Sequence, residues 1–253
     1  MNPPASGASR ILRYNWPVFL VTWTAAAVAT GVLFAIGVDR LGLPGRLLAL
    51  AAIAGALWSI GALAVSHIVY DRSPLASGSW VESLLPAAAA TLRWVAIDAG
   101  LDAEVALEKA IARPCAARLD IHDGTHVGSA SIGRARALTP RTHRAMRASA
   151  VRLPLADRSC DLVTLIFSAH EIKTREARQA CFREVARVLA LRGRLLLVEH
   201  LRDLPNLLAY GPGAWHFLPR REWLALAEAA GLRVAVERRI TPWVTALAFE
   251  RIT

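Results

Sequence analysis

Two long stretches without a formal charge constrain this chain more than anything else in it. From Trp16 to Gly37 it runs WPVFLVTWTAAAVATGVLFAIG, and from Leu47 to Tyr70 LLALAAIAGALWSIGALAVSHIVY. At about 1.5 Å per residue, a helix of either length covers the ~30 Å hydrocarbon core of a bilayer. The nine residues between them, Val38 to Arg46, are polar and hold Gly42, Pro44 and Gly45. The pattern predicts a transmembrane hairpin with spans 16–37 and 47–70, a tail over 1–15 and a turn over 38–46. Ala52, Gly55, Ser59 and Gly61 give the second span a small-residue face that a partner helix can approach closely. A cleaved signal peptide fits less well, because the first apolar run is too long for its core and a second span follows at once.

Charge agrees with a membrane surface. The net charge is +10, nearly all of it arginine, since Lys109 and Lys173 are the only lysines. Nucleic acid would suit the same sign, but no zinc-finger, helix-turn-helix or RNA-binding signature accompanies it, and no nucleic acid partner is expected. Arg134, Arg136, Arg141, Arg144, Arg147 and Arg152, with His143 among them and no acidic residue, form a run that would dock on anionic lipid headgroups or an acidic partner. Positive-inside counting does not orient the hairpin, because Arg10 and Arg13 before it balance Arg40 and Arg46 in the turn. His67 near the end of the second span reads as an interfacial anchor. Cys115, Cys160 and Cys181 are scattered and odd in number, which suits a reduced compartment. His122 and His126 lack a third ligand, and no metal site is expected.

Residues 71–92 read as a connector, and beyond Arg93 the pattern changes. Short apolar runs, 94–97, 117–121, 162–167, 194–199, 232–237 and 244–249, alternate with helical segments at 103–112, 175–189 and 221–230. Continuous apolar strands separated by helices indicate an α/β, doubly wound, mostly parallel sheet, with its ligand edge beyond the strands' carboxyl ends.

Several segments carry a family likeness. Leu153-Pro154-Leu155-Ala156-Asp157 through Asp161-Leu162-Val163 resembles the segment that enters the fourth strand of the type 11, UbiE-like, class I S-adenosylmethionine-dependent methyltransferases. Arg183-Glu184-Val185-Ala186-Arg187-Val188-Leu189 followed by Arg192 to Glu199 is similar to their next helix, turn and strand. Trp223, Ala230-Gly231-Leu232 and Phe249-Glu250-Arg251 resemble the last helix and antiparallel hairpin. The resemblance spans most of 93–253. It implies a Rossmann-like, seven-stranded sheet and S-adenosylmethionine as cofactor. Residue by residue, it implies that Asp98 and Gly100 form the cofactor turn, that Asp120 and Ile121 end the second strand at the ribose, that Ser149 and Ala150 stand at the adenine, and that Ser168 lies past the fourth strand. The pattern departs from the family at Asp102 and Glu104, which replace the later glycines of the turn, and at Ser149, which replaces an acid.

His170 and Glu171 fall just past the fourth strand, at the ligand-facing edge. His170 is the candidate general base and Glu171 its orienting partner. His200, Arg202, Tyr210 and His216, on the segment after the fifth strand, are candidate substrate contacts on a lid or membrane-facing lip. Two readings remain open. One is a methyltransferase held at a bacterial-type inner membrane, domain in the cytoplasm, acting on a hydrophobic or amphiphilic small molecule. The other is a catalytically degenerate subunit of a membrane protein complex.

Overall fold

The structure, a computed structural model, describes residues 6–86, 92–100, 105–138 and 145–252. Helix α1 (Gly7–Tyr14) precedes two long helices, α2 (Trp16–Ile36) and α3 (Val38–His67). Asn15 and Pro17 start α2, where the missing proline N–H leaves no helical bond unmade. The 21 residues of α2 extend about 31 Å. The expected turn over 38–46 is tighter than the composition suggests. The chain breaks at Gly37 (φ 89°), makes one helical turn at the start of α3, breaks again within α3 at Gly42 (φ 57°), and continues through Pro44. Positive φ at the two glycines makes the reversal, so the polar residues between them stay helical.

The helices pack with their small side inward. Gly55 faces Thr22 closely, and Ser59 and Ser66 are fully buried with their hydroxyls donating to Ala56 O and Ala62 O on their own helix. Phe34 is 94% exposed, and Val21 and Leu57 also point outward. Exposed large apolar groups beside buried serine hydroxyls differ from the usual water-soluble helix pair. A π-type turn, Ile68–Arg72, ends α3 and leads into the short helix α4 (Pro74–Ser77), and His67 Nδ1 meets Asp71 Oδ2 at 2.7 Å. The same carboxylate accepts the Gly7 backbone N–H at 2.8 Å, so α1, within the expected tail, is tied to the base of the hairpin.

The sheet holds seven strands: β1 (Trp94–Asp98), β2 (Ala117–Asp120), β3 (Met146–Arg147), β4 (Cys160–Ile166), β5 (Leu189–Glu199), β6 (Leu232–Thr241) and β7 (Val244–Arg251). Their order is β3-β2-β1-β4-β5-β7-β6, parallel from β3 to β5, with β7 antiparallel to both neighbours. This is the expected doubly wound, Rossmann-like sheet, closed by an antiparallel hairpin. Period-2 alternation sends Val95 and Ile97 to one face and Trp94 and Ala96 to the other, and both faces are buried. The first face is covered by α7 (Arg175–Val188) and α9 (Arg220–Glu228), through Phe182, Val185 and Trp223. The second is covered by α5 (Val105–Ile111) through Leu107 and by Val69, Trp80, Val81 and Leu84. Residues read from the sequence as a connector therefore complete the core. Arg194 Nη1, on β5, fastens this cover by donating to Leu84 O and Leu85 O at 3.2 and 2.7 Å.

Candidate active site

Strand order reverses between β1 and β4, where successive crossovers leave in opposite directions and open a crevice at the carboxyl edge. Asp98 and Asp120 end β1 and β2 as register partners, both buried. The Asp98 carboxylate accepts the Gly100 N–H and closes a tight turn. Gly100 has φ 107°, and a Cβ there would overlap the Arg136 guanidinium. Ile121 donates its N–H to Asp98 O at 3.0 Å, and the Ser168 hydroxyl donates to Ile97 O at 2.9 Å. Phe167, with φ 50°, makes the sharp exit from β4 that lets Ser168 turn back. Ala150 is buried behind β3, whereas Ser149 is exposed and its Oγ accepts the Val151 N–H at 3.3 Å. The crevice thus gathers Asp98, Gly100, Asp120 and Ser168, with Ser149 at its margin. Asp102 and Glu104 lie outside the described residues.

Arg136 comes from α6 (Ala130–Leu138). Its two terminal nitrogens reach Asp120 Oδ1 and Oδ2 at 3.1 and 2.8 Å, and Nη1 also donates to Ala99 O at 3.1 Å. Arg134, one half-turn away, donates from Nε to Tyr14 O at 2.5 Å, joining α6 to α1. The basic run expected to face lipid or a partner is therefore divided, with these two arginines turned onto the protein. Arg141, His143 and Arg144 lie outside the described residues.

A second cluster forms past β4 and β5. His170 Nδ1 meets Glu199 Oε2 at 2.6 Å, and the other carboxylate oxygen accepts the backbone N–H groups of Ala169 and His170 at 3.1 and 3.2 Å. His170 Nε2 lies 3.5 Å from Glu171 Oε1, which accepts the Ser129 hydroxyl at 3.1 Å. Burial alone would push the His170 pKa down. The Glu199 charge, with hydrogen bonds to both carboxylates, overrides it and lifts the pKa to about 10. Burial raises Glu171, yet the bond and charge of His170 outweigh it and leave its pKa below the ordinary value. His170 is thus an imidazolium at neutral pH. Held between two carboxylates, its ring favours the protonated form, which weighs against the general-base role expected from its position. Its main partner is Glu199 rather than Glu171.

A cavity of about 630 Å³ opens beside this cluster. His170, Glu171, Arg202, Trp215 and His216 line it from the domain, and Asn15, between α1 and α2, contributes to the rim. The His216 ring lies 5.4 Å from that of His170. Burial, then the His170 charge, hold its pKa down at about 4, so it is neutral at pH 7. Of the four substrate contacts expected from sequence, Arg202 and His216 reach the cavity. His200 and Tyr210 do not. Tyr210 ends α8 (Leu204–Tyr210), a helix the sequence reading treats as loop, and packs edge-on against His200 and Phe217. His200 is stacked between Phe167 and Phe217, at 4.9 and 5.1 Å. Its Nδ1 pairs with Trp243 O at 2.8 Å, which fixes the N–H there and leaves Nε2 to accept from the Tyr70 hydroxyl at 2.9 Å. Both nitrogens are spent on structure.

Sequence reasoning passed over Glu199 and Arg136. Glu199 carries a legible signal, an acid closing a strand at the ligand edge as Asp98 and Asp120 do. Arg136 carries none, being one arginine in a basic run.

A doubly wound sheet of this order is the fold found in solved S-adenosylmethionine-dependent methyltransferases. Residues 109–197 match the family described as "Methyltransferase domain", a match that starts beyond the β1 turn. A SAM-dependent methyltransferase from Aquifex aeolicus superposes with a TM-score of 0.52 at 12% identity, over 76% of this chain and 97% of that one. The PH0226 protein from Pyrococcus horikoshii OT3 gives 0.47 at 14% identity, over 63% and 82%. No curated protein matches the sequence significantly. The resemblance read from residues 153–163 and 183–199 thus holds for the fold.

Proposed function

We propose that the chain is a membrane-anchored S-adenosylmethionine-dependent methyltransferase acting on a hydrophobic or amphiphilic small molecule, with its domain on the cytoplasmic side of a bacterial-type inner membrane. The observation that carries this reading is the shared wall of the cavity: the ligand edge of the sheet forms one side, and Asn15, where the juxtamembrane helix meets the first span, forms part of the rim. In the most apolar stretch of each long helix only 11% of the residues are buried, which suits lipid contact and argues against a core helix of a soluble protein.

The donor set fits an S-adenosyl group. Asp98 and the Gly100 turn offer backbone approach, and Asp120 stands at a strand end where a carboxylate accepts from ribose hydroxyls. The bound cofactor supplies a methyl group activated on a sulfonium. The chain's part is to hold the acceptor in line and to take up any proton it sheds. His216 faces the cavity as a neutral ring that can hydrogen-bond an acceptor, while the charge of His170 is matched by the Glu199 and Glu171 carboxylates beside it. A second reading, a degenerate subunit of a membrane complex, is favoured by the Arg136–Asp120 pair, which spends the ribose acid on the chain's own guanidinium.

Calorimetric titration of S-adenosylmethionine and S-adenosylhomocysteine into the detergent-solubilised full-length protein tests the proposal. Saturable binding that Asp120→Ala weakens at least about tenfold is expected, because hydrogen bonds to a charged acceptor are worth about 1.5–3 kcal/mol. Absence of binding at millimolar ligand in folded protein would leave the subunit reading.

A further inference from the structure

Asp120 is already engaged on three sides. Oδ1 accepts from the His122 N–H at 3.1 Å and from Arg136 Nη1 at 3.1 Å, and Oδ2 accepts from Arg136 Nη2 at 2.8 Å. The Asp120 side chain is 5% exposed and that of Arg136 24%, so the carboxylate is nearly closed to solvent while part of the guanidinium stays open to it. The guanidinium also lies against the Cα of Gly100, the one residue type that leaves room for it, and binds Ala99 O. It therefore bridges the ends of β1 and β2, the ground that a ribose seated on Asp120 would cover. A planar, doubly hydrogen-bonded arginine mimics a diol here. Both present two parallel donors to one carboxylate, so they compete for the same two oxygens.

We propose that Arg136 is an intramolecular competitor for the ribose site, a latch that sets cofactor affinity by occupying Asp120 until an adenosyl ligand displaces it. This rests on the methyltransferase reading of the same crevice. The latch stands on α6, which Arg134 ties to Tyr14 of α1 at the foot of the membrane hairpin. Its mounting is therefore anchored, and what must move on ligand entry is the arginine side chain, which swings out through the part already exposed to solvent.

The test is calorimetric titration of S-adenosylhomocysteine, which needs no acceptor and no turnover, into full-length Arg136→Gln and Arg136→Lys proteins beside the parent, each checked for a cooperative melt. Removing the fork is expected to tighten binding about ten- to a hundredfold, the value of the charge-assisted bonds the ligand no longer has to displace. Lysine, which keeps the charge but cannot bridge both oxygens, is expected to fall between. Equal, measurable affinity in all three proteins overturns the latch and leaves the methyltransferase reading standing. Weaker binding in the glutamine variant also overturns it, since Arg136 would then hold the ligand rather than oppose it. No binding in any folded variant up to millimolar ligand overturns the methyltransferase reading, and the latch with it.

Discussion

Replacing Glu199 with alanine is expected to destabilise the folded domain by about 3–5 kcal/mol, the usual result of removing one partner from a buried ion pair. Glu199 is fully buried and holds three donors at once: two backbone N–H groups and His170 Nδ1. Its loss strands an imidazolium with only Glu171, 3.5 Å away, and opens two N–H groups at the exit of β4. For a domain of this size the melting temperature should fall by on the order of 10 °C. Differential scanning calorimetry in detergent reads this directly, and a shift of a degree or two would show that the pair does not support the fold. The double variant His170→Gln/Glu199→Gln should lose less than the sum of the two single changes, because it removes both charges together.

The same pair gives a pH signature. The folded pKa of His170, about 10, lies above the ordinary 6.5. Between those values the native state binds more protons than the unfolded chain, so stability falls as pH rises. The contribution is complete below about pH 6.5 and gone once pH passes about 10. Parent and Glu199→Ala melting temperatures should therefore lie furthest apart near pH 6 and converge toward pH 10. A gap independent of pH would mean that His170 is neutral in the native state.

Much of the fold is visible in the residues, and what is hidden has physical causes. The long helices and the central strands β1, β4 and β5 announce themselves through uninterrupted apolar runs. Helix α6 does not, because SASIGRARAL has no apolar stripe and buries only Ile132 and Ala135. The two residues of β3 are both exposed and pair with a single neighbour, too little for any periodicity to register. In the site, acids and His170 at strand ends follow from the pattern, since an α/β sheet gathers them at one edge. Their states do not follow. Whether His170 favours its charged or its neutral form depends on a carboxylate 29 residues away and on how little of either side chain is exposed. Arg136 meets Asp120 only because α6 is held against α1, a tertiary fact absent from local spacing. The cover over 80–84 is masked likewise, as Trp80, Val81 and Leu84 lie in a turn and one short 3-10 turn without a repeat.

That cover sets the other large effect. A fragment beginning at Arg93, where the α/β pattern starts, is expected not to fold, whereas one beginning at Ile68 should. The shorter fragment lacks Val69, Trp80, Val81 and Leu84, none more than 2% exposed, and bares the sheet face formed by Trp94, Ala96, Leu162, Leu196 and Val198. At about 1.5–3 kcal/mol per buried side chain, four such residues contribute roughly 6–12 kcal/mol. That rivals the whole stability of a domain, about 5–15 kcal/mol. Arg194 also loses both carbonyl acceptors, Leu84 O and Leu85 O, in the same cut. The longer fragment keeps these contacts and the Tyr70–His200 hydrogen bond that ties the end of α3 to the aromatic stack behind the cavity. Expressed side by side, the fragment from Ile68 should give near-ultraviolet circular dichroism and a cooperative melt, while the fragment from Arg93 should aggregate or bind a hydrophobic dye without a transition. Equal cooperative melts for the two would place the domain boundary at Arg93 and make residues 71–92 a tether between the long helices and the domain. Unequal melts would mean that the chain leaving α3 is itself part of the domain, so that a displacement of the two long helices is felt directly under the sheet carrying the site.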